Sequence, residues 1–553
     1  MVRGPRPVAF ALCLLLVATV PPAAGGIDSQ PRQPRQVEAV QPASQNGSGD
    51  HPGIAAVYPD PVADGDAGEF VVLDLPRGTS LAGTVFTDGT TTIPLANVSA
   101  RGRVALTSEP NRTRNRTDAT VVAVDRLTLA NSGEHLRIRQ DDTVVDQAVY
   151  RDAEEAHLAT WNGSRIDWRP IGATDRPPIR ANGGDVRAFV LPDSPSVGIS
   201  TIRNTEDRLL LAGYTLTAER VADALVAAHE RNVTVRVLLE GEPVGGRTRR
   251  GARLLDRLVE SGIEVRVIGG PHARYDYHHA KYAVADDRAI VLTENWKPSG
   301  TGGHSSRGWG AVTDQSAVVD GLAATFRADA GWDDAVPWSR FRRGRSFESG
   351  EVSTATYDTH FGSQTVPVDS TTLLVTPDNA QSVLVDTLDR ADDSVDVIQV
   401  TVDWESQTAT ALRRAAKRGV RVRLLLSSAW YVREDNRKLR KRFDEWAETN
   451  DASLSVRLAD PDGRYGKVHA KGAIVDDDTV VLGSLNWNEQ AATSNREVLL
   501  ALRGQAVADY YGAVFDADWQ GGRDRIPYSL VAALLGCLGL VVIVGGKIRF
   551  ENR

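Results

Sequence analysis

The tripeptide His-Ala-Lys occurs twice in this chain, 190 residues apart, as His279–Lys281 and His469–Lys471. In each copy an Asp, either Asp286 or Asp476, follows the Lys by five positions. The 553 residues include 10 His and only 8 Lys, so chance explains two copies of one pattern poorly. The flanks HHAKYAVADDRAIVLTENW and VHAKGAIVDDDTVVLGSLNW also match, which indicates an internal repeat with a strand-like apolar run after each Lys.

Strand and helix signals alternate around each copy of the repeat. In residues 185–345, LLLAGYTL precedes the amphipathic ADALVAAHERN and then VTVRVLLEG; in residues 368–522, SVDVIQVTV precedes TATALRRAAKRG and VRVRLLLSS. Two parallel strands joined through a helix give an α/β sheet, with functional loops at the carboxyl ends of the strands. We therefore predict two α/β halves, in which the His and the Lys of each motif, two residues apart, point to the same face.

Two His and two Lys presented in this way form a pocket suited to one phosphate group. Lys281 and Lys471 can neutralise the non-bridging oxygens and the charge that grows on them in the transition state. Either His279 or His469 can attack phosphorus to form a covalent phosphohistidine, while the other protonates the leaving oxygen and later activates water. The side chains supply the positive charge themselves, so we expect no metal ion and no other cofactor.

The complete pattern resembles the signature of the phospholipase D superfamily, which is His-x-Lys, four residues, Asp, six residues and Gly-Ser-x-Asn. The second copy matches it throughout, with His469, Lys471, Asp476, Gly483, Ser484 and Asn486. The first copy keeps its His, Lys and Asp but then reads Thr-Glu-Asn-Trp, ending in Asn295 and Trp296, and is one residue shorter. The resemblance implies a bilobal catalytic unit in which two halves face each other around one active site.

The resemblance also implies roles for the remaining site residues. Glu497 lies where the family has an acidic residue that orients a motif His, whereas Gly308 lies at that place in the first copy. This implies that Glu497 orients His469 and favours His469 as the nucleophile, with His279 as the acid; the reverse assignment is also open. Asp286 and Asp476 are expected to brace loops, and Asn295, Ser484 and Asn486 to support the pocket.

Residues 52–150 have a different pattern, in which short β-type runs are separated by Asp-Gly and Asn-Ser-Gly turn signals. This pattern predicts a small β-sandwich. The order of GEFVVL, LANSGEHLRIRQ and VVDQAVY resembles the lamin-tail domain, an immunoglobulin-like module. The resemblance implies a binding or spacing role for this domain and leaves its partner open.

The two ends of the chain indicate export and membrane attachment. Residues 1–25 have the layout of a signal peptide, and residues 26–51 read as a disordered spacer. Residues 528–546 carry no charge over 19 positions and are expected to form one transmembrane helix, although a buried core helix is the alternative. The basic tail at 547–553 is then cytoplasmic, with the bulk of the protein outside the cell membrane.

The exported portion is acidic and has no cysteine. The signal and the tail each carry a net charge of +2, so the formal charge of −8 becomes −12 for residues 26–546. An acidic surface with few Lys is typical of salt-adapted proteins, which makes a halophilic source a hypothesis. Cys13 and Cys537 lie in the signal and in the apolar span, so no disulfide is expected in the exported part.

The sequence therefore favours a membrane-anchored phospholipase D-like phosphodiesterase acting on phospholipid, because the anchor holds the pocket near the bilayer. A metal-independent extracellular nuclease and a non-catalytic surface protein with a decayed first half are the alternatives. A metal site in the string PHARYDYHHAK is a weaker alternative, since no Cys ligands accompany it. The basic cluster KLRKRFDEW at 438–446 is interpreted as a solvated helix.

Overall fold

A computed structural model describes residues 51–162, 165–350 and 352–522. The expected signal peptide, nearly all of the spacer, the apolar span at 528–546 and the basic tail lie outside these residues. Among the residues that are described, no helix has both the length and the apolar character needed to cross a membrane.

The N-terminal region forms two β-sheets that share one hydrophobic core. Its elements are the strands β1 (Gly53–Tyr58), β2 (Phe70–Leu75), β3 (Thr84–Thr87), β4 (Thr92–Pro94), β5 (Gly102–Thr107), β6 (Thr120–Ala123), β7 (Gly133–Gln140), β8 (Thr143–Arg151), β9 (His157–Asn162) and β10 (Arg165–Pro170), the helix α1 (Pro110–Thr113), and two 3-10 helices, Asp64–Asp66 and Leu95–Asn97. One sheet has the order β10-β9-β1-β2-β5-β6 and the other the order β4-β3-β7-β8.

Alternating burial explains why these strands pack face to face. On β7, Leu136 and Ile138 are fully buried while their neighbours are only half-buried, as expected for a strand with one core face. They pack in the same cluster as Val71 and Leu73 of β2, which belongs to the other sheet. The strands β9 and β10 extend this region to Pro170, beyond the boundary at residue 150 expected from the sequence.

The first repeat copy lies in a mixed sheet of the order β19-β15-β14-β13-β16-β17-β18-β12-β20. The strands of this part of the chain are β11 (Ile179–Asn182), β12 (Asp185–Leu191), β13 (Arg208–Gly213), β14 (Thr234–Glu240), β15 (Glu264–Ile268), β16 (Tyr282–Ala285), β17 (Arg288–Leu292), β18 (Ser306–Thr313) and β19 (Ala335–Pro337). The helices are α2 (Ser196–Arg203), α3 (Glu219–Glu230), α4 (Arg249–Glu260), α5 (Ser316–Ala330) and α6 (Trp338–Phe341). The predicted parallel pair joined through a helix is confirmed as β13, α3 and β14.

The second copy repeats this arrangement in the order β11-β21-β28-β27-β26-β22-β23-β24. Its strands are β20 (Gln364–Pro367), β21 (Ser370–Val375), β22 (Ser394–Gln399), β23 (Arg421–Leu426), β24 (Leu454–Leu458), β25 (Lys467–Val468), β26 (Gly472–Val475), β27 (Thr479–Gly483) and β28 (Val498–Arg503). Its helices are α7 (Ala380–Asp389), α8 (Gln407–Lys417), α9 (Arg433–Asn450), α10 (Glu489–Thr493) and α11 (Gln505–Gln520). Here β22, α8 and β23 form the predicted parallel pair.

The two halves exchange edge strands. β11 precedes the first half in the chain but pairs with β21 of the second half. β20 precedes the second half but pairs with β12 of the first. The halves also share a hydrophobic core, in which Phe326 of α5 and Phe515 of α11 pack with residues of both sheets. The two halves therefore form one packed unit, with their motifs facing each other.

A buried ion network ties each half to the terminal helix of the other. Arg307 of β18 contacts Asp518 of α11, with 2.8 Å between Nε and Oδ2, and both side chains are fully buried. The equivalent contact in the other direction joins Arg496 of the second half to Asp329 of α5, with 3.1 Å between Nε and Oδ2. Arg464 also binds Asp518 at 2.9 Å. A buried charge that loses its partner is strongly disfavoured, so these contacts hold the two halves in one relative position.

We expect Asp518→Ala to lower the free energy of unfolding by about 3–5 kcal/mol, because it leaves Arg464 without a carboxylate partner among the described residues and leaves buried Arg307 with Asp193 alone. Chemical denaturation of the purified protein measures the change. The matched control is Asp386→Ala, which breaks an exposed pair with Arg390 and is expected to cost less than about 1 kcal/mol. Equal effects of the two substitutions would contradict the structural role of the buried network.

Candidate active site

The two motifs lie directly before β16 and β26, and each is held by the other half. The amide of His279 donates to the carbonyl of Arg496 at 2.9 Å, and the amide of His469 donates to the carbonyl of Arg307 at 3.0 Å. The short strand β25 pairs in parallel with β18, which extends this crosswise contact. The backbone at each motif histidine is therefore held by a backbone segment of the opposite half.

Glu497 contacts His279, which corrects the expectation that it orients His469. Nδ1 of His279 lies 2.9 Å from both carboxylate oxygens of Glu497. Both side chains are largely buried, with 11% of the His279 side chain and none of the Glu497 side chain exposed. The sequence places Glu497 28 residues after His469, but the adjacent Arg496 forms a parallel β-bridge with His278, which brings Glu497 beside the motif of the other half.

His469 has a different carboxylate partner, Glu294, which the sequence analysis did not assign a role. Nδ1 of His469 lies 3.2 Å from Oε1 of Glu294. Glu294 fills the space left by Gly308, because a Cβ built on Gly308 would lie 2.3 Å from Cγ of Glu294. The acid that contacts a motif His therefore lies just after β17 in the first copy, whereas the second copy has its acid just before β28. Two signals pointed to it: an acid where the second copy has Leu485, and a glycine where that copy has Glu497.

The two motif lysines lie deep in the same pocket. Nζ of Lys281 donates to the carbonyl of His279, and Nζ of Lys471 donates to the carbonyl of His469 at 2.8 Å. Lys471 also lies 3.2 Å from Nδ1 of His469 and 3.5 Å from the carbonyl oxygen of Thr293 in the first half. Burial lowers the pKa of Lys471 to about 8 and lowers that of Lys281 well below its ordinary value.

Burial favours neutral rings at both histidines. It lowers the pKa of His279 to about 4, against the opposing charge of Glu497, and lowers the pKa of His469 well below its ordinary value, with Lys471 adding to the effect. A neutral His279 that donates from Nδ1 to Glu497 has its lone pair on Nε2. That arrangement leaves one ring nitrogen available for attack.

The two carboxylates differ in their protonation. Burial raises the pKa of Glu294 to about 8, and Lys471, Lys467, Lys281 and Lys297 only partly offset this. Burial also disfavours ionised Glu497, but His279, Lys281 and a hydrogen bond from Ser484 outweigh it and lower the pKa of Glu497 below its ordinary value. Near neutral pH the pair of Glu294 and His469 therefore retains a proton that the pair of Glu497 and His279 has lost.

Asp286 and Asp476 lie at the far end of β16 and β26 and contact no motif His. The carboxylate of Asp286 accepts from the amides of residues 206, 207 and 208 at 2.7–2.9 Å. Asp476 accepts from the amides of residues 392, 393 and 394 at 2.8–3.2 Å. Both side chains brace the turn before β13 or β22, as expected from the sequence.

The supporting residues lie beside the motifs. Ser484 accepts a bond from the amide of Val498 at 2.9 Å and lies next to Glu497. Asn295 and Asn486 precede buried tryptophans, of which Trp296 donates to the carbonyl of Ala212 at 2.9 Å. The side-chain oxygen of Asn295 is buried and has no hydrogen-bond partner in the described part of the chain. These positions stay predictions for substrate contact.

The other sequence candidates lie apart from the pocket or in separate environments. The histidines of the string PHARYDYHHAK diverge: His272 approaches Glu155 at 3.7 Å, and His278 approaches Asp329 at 3.6 Å. Within the described residues no group of three or more His, Cys, Asp or Glu is arranged to hold a metal ion. The basic cluster at 438–446 lies on α9, where Lys438 and Lys441 are exposed and paired with acidic neighbours.

We expect Glu294 to make the unfolding free energy fall as pH rises from about 4.5 to about 8. Its pKa is higher in the folded state, so the folded protein binds more protons than the unfolded chain within that window, and stability decreases with pH there. Glu294→Gln removes this contribution. Denaturant titrations of both proteins measure the difference: the wild type should lose stability relative to the variant up to about pH 8 and not beyond. A pH-independent difference would contradict the raised pKa.

Comparison with known proteins agrees with this architecture. The family described as cardiolipin synthase, PLD-like domain, matches residues 199–330 and 384–519. A mitochondrial cardiolipin hydrolase from Xenopus tropicalis is 32% identical over 143 residues, which cover 26% of this chain and 62% of that protein. A phospholipase D from Rickettsia typhi is 29% identical over 140 residues, which cover 25% of this chain and 63% of that protein.

Among solved structures, the phosphatidylserine synthase of Haemophilus influenzae Rd KW20 is 15% identical with a TM-score of 0.45, over 59% of this chain and 83% of that one. The chain spans less than two thirds of the length of the two curated relatives. The two matched ranges contain both His-Lys motifs and the carboxylates that contact them. Residues 199–330 and 384–519 therefore each match the PLD-like domain of that family.

Proposed function

We propose that this protein is a phosphodiesterase that acts through a covalent phosphohistidine. One observation carries the proposal: two histidines from two different halves, one buried and one partly buried, each contact a carboxylate, at 2.9 and 3.2 Å, beside two buried lysines. A nucleophile and an acid, each with an orienting group, are what double displacement at phosphorus requires. A protein that only binds a ligand has no need for two histidines and two lysines with perturbed pKa values in one pocket.

The two carboxylate pairs suggest a role for each histidine. Nε2 of His279 attacks phosphorus, the bond from phosphorus to the leaving oxygen breaks, and His469 donates a proton to that oxygen. The proton comes from the Glu294–His469 pair, which retains it near neutral pH. A water or alcohol then loses its proton to His469 and attacks phosphorus, which releases His279. Lys281 and Lys471 neutralise the charge on the non-bridging oxygens in both steps.

Phospholipid is the substrate that we favour. Relatives that match the PLD-like domains are named for phospholipase D and cardiolipin hydrolase activity. The apolar run at 528–546 would anchor the protein in the membrane, with the signal peptide directing the catalytic unit outside and the basic tail remaining in the cytoplasm. The N-terminal pair of sheets would act as a lamin-tail-like β-sandwich that spaces the unit or binds a partner.

The test uses the full-length protein in detergent micelles, at low and at multimolar salt. We expect turnover of phospholipid and of bis(p-nitrophenyl) phosphate, with no loss on adding a chelator, because lysines supply the charge. Cleavage of single-stranded DNA without lipid turnover would favour the nuclease alternative, and no turnover of any diester would favour the non-catalytic one. Retention of the intact chain, but not of a chain ending at residue 527, in washed membranes tests the anchor.

A further inference from the structure

The linker at residues 171–178, which joins the N-terminal sheets to the catalytic unit, contacts buried residues of the second half. The hydroxyl of Thr174 donates to Oδ2 of Asp378 at 2.7 Å and accepts from Nη2 of Arg496 at 2.5 Å. The amide of Arg176 donates to the same Oδ2 at 3.0 Å. Asp378 and Arg496 also contact each other, with 3.2 Å between Oδ1 and Nη1, and both side chains are fully buried. The linker is therefore part of a buried polar cluster.

This cluster lies directly behind the first motif. Arg496 forms a parallel β-bridge with His278, in which its amide donates to the carbonyl of Tyr277 at 2.9 Å. Its carbonyl accepts from the amide of His279 at 2.9 Å. The next residue, Glu497, contacts Nδ1 of His279 at 2.9 Å. Because Glu497 is covalently joined to Arg496, the contacts that fix the Arg496 side chain also fix the backbone that presents Glu497 to His279.

The second motif has an equivalent cluster, but another segment of the chain completes it. Arg307, whose carbonyl accepts from the amide of His469, contacts Asp193 with 2.5 Å between Nη1 and Oδ2. Oδ1 of Asp193 accepts from the amides of His360 and Phe361 at 2.6 and 2.9 Å. These residues belong to the segment between the two halves. The linker from the N-terminal sheets therefore does for the first motif what the segment between the halves does for the second.

The N-terminal sheets are docked so that the linker has a defined position. Trp332, which follows α5, packs against the linker: a Cβ built on Gly172 would lie 2.1 Å from Cζ2 of Trp332. The indole lies near two guanidinium groups, with its ring centroid 5.2 Å from Cζ of Arg116 in the N-terminal region and 5.4 Å from Cζ of Arg274. Arg116 also contacts Asp333 at 2.5 Å. The N-terminal region is thus held against the first half on both sides of Trp332.

We propose that Thr174 is a positioning residue of the active site, which holds Glu497 against His279 through Arg496. The N-terminal region thereby completes the site that the two halves form. The inference rests on the proposed function, in which His279 attacks phosphorus. A hydroxyl is needed at this position because it donates to a carboxylate and accepts from a guanidinium at the same time. Thr174 touches no reacting atom, but a displacement of about 1 Å at a reacting group can lower the rate about 10²-fold.

The test compares Thr174→Val with Thr174→Ser in the full-length protein in detergent micelles. Valine keeps the shape of threonine but has no hydroxyl, whereas serine keeps the hydroxyl. We expect Thr174→Val to lower kcat about tenfold on phospholipid and on bis(p-nitrophenyl) phosphate alike, with KM changed less than about twofold, because attack by His279 is needed whatever leaves. Thr174→Ser should keep at least about half of the wild-type kcat. The matched control is Thr117→Val in the N-terminal region, where the lost hydroxyl accepts only from the amide of Ala119 in a local turn.

A second measurement reads the contact between His279 and Glu497 without turnover. A ring proton shared with a buried carboxylate gives a downfield proton NMR resonance, which His279→Ala identifies by its loss. We expect this resonance to shift or broaden in Thr174→Val and to persist in Thr174→Ser.

Three outcomes separate the inference from its alternatives. Unchanged kcat and an unchanged resonance in Thr174→Val would overturn it, and a lower unfolding temperature alone would then assign Thr174 to stability. Equal losses of kcat in the valine and serine variants would mean that packing of the linker matters and the hydroxyl does not, which also overturns it. A wild type that cleaves neither diester, but whose resonance still depends on the Thr174 hydroxyl, would contradict the proposed function and support the positioning role.

Discussion

His279→Ala and His469→Ala are each expected to lower kcat by about 10⁴-fold or more on a phospholipid while leaving the fold intact. Each half supplies one histidine, and the crosswise contacts with Glu497 and Glu294 bring both to the same pocket. Losing either histidine removes a group that the remaining one cannot replace, because one ring cannot attack phosphorus and protonate the leaving oxygen in the same step. Steady-state kinetics with each purified variant provide the measurement.

Two comparisons make this result informative. His157→Ala changes a histidine of the N-terminal sheets, which lies near Glu154 and far along the chain from both motifs, and should leave kcat unchanged. Thermal unfolding of both motif variants should give a single transition near that of the wild type. If one motif variant kept full turnover, the site would need only one half, and the model of a shared active site would be wrong.

The part of the site that could be predicted from the sequence is the part that local chain geometry determines. His279 with Lys281, and His469 with Lys471, are two residues apart, so their shared face follows from the backbone alone. The α/β class follows from the alternation of strands and helices, and the structure confirms it in both halves. Asp286 and Asp476 brace turns next to their own strands, which is also a local relation.

The carboxylate pairing could not be predicted in this way, because it depends on how the two halves meet. Glu497 is much closer in the chain to His469 than to His279, yet its side chain contacts His279 at 2.9 Å. The exchange of β11 and β20 between the sheets could not be predicted for the same reason. Each strand is adjacent to one half in the chain but pairs with the other half. Both features arise from tertiary packing between pseudo-symmetric halves, for which a single sequence carries no distance information.

Glu294 could be predicted from the sequence only in part. Its role was missed because the motif pattern expects the acid on β18, where the chain has Gly308. The glycine and the acid are complementary, because the missing side chain at Gly308 leaves the volume that Glu294 occupies.

A rapidly quenched reaction should trap the phosphoryl group, still esterified to the part of the substrate that does not leave, on a peptide that contains His279. The neutral ring of His279 donates from Nδ1 to an ionised Glu497, which leaves Nε2 free to attack, whereas the protonated Glu294 beside His469 suits a proton donor. This reverses the assignment that the sequence favours, because that assignment depended on Glu497 serving His469. Mass spectrometry of the phosphorylated peptide, stabilised at alkaline pH, identifies the site. Phosphate on His469 would restore the opposite assignment.

The same asymmetry predicts how His469→Ala depends on the leaving group. We expect this variant to slow cleavage of an alkyl phosphodiester about 10²–10⁴-fold more than cleavage of a p-nitrophenyl diester, because p-nitrophenolate leaves without a proton. His279→Ala should slow both substrates alike, since attack on phosphorus is needed whatever leaves. Glu294→Gln is a second test of the same role. It keeps the shape of the residue that contacts His469 but cannot supply the proton, so it should show the same leaving-group preference in weaker form. If His469→Ala slowed both diesters equally, His469 would act in a step that both substrates share. The leaving oxygen would then take its proton from another group in the pocket. Lys471, with a pKa of about 8, is the nearest such group.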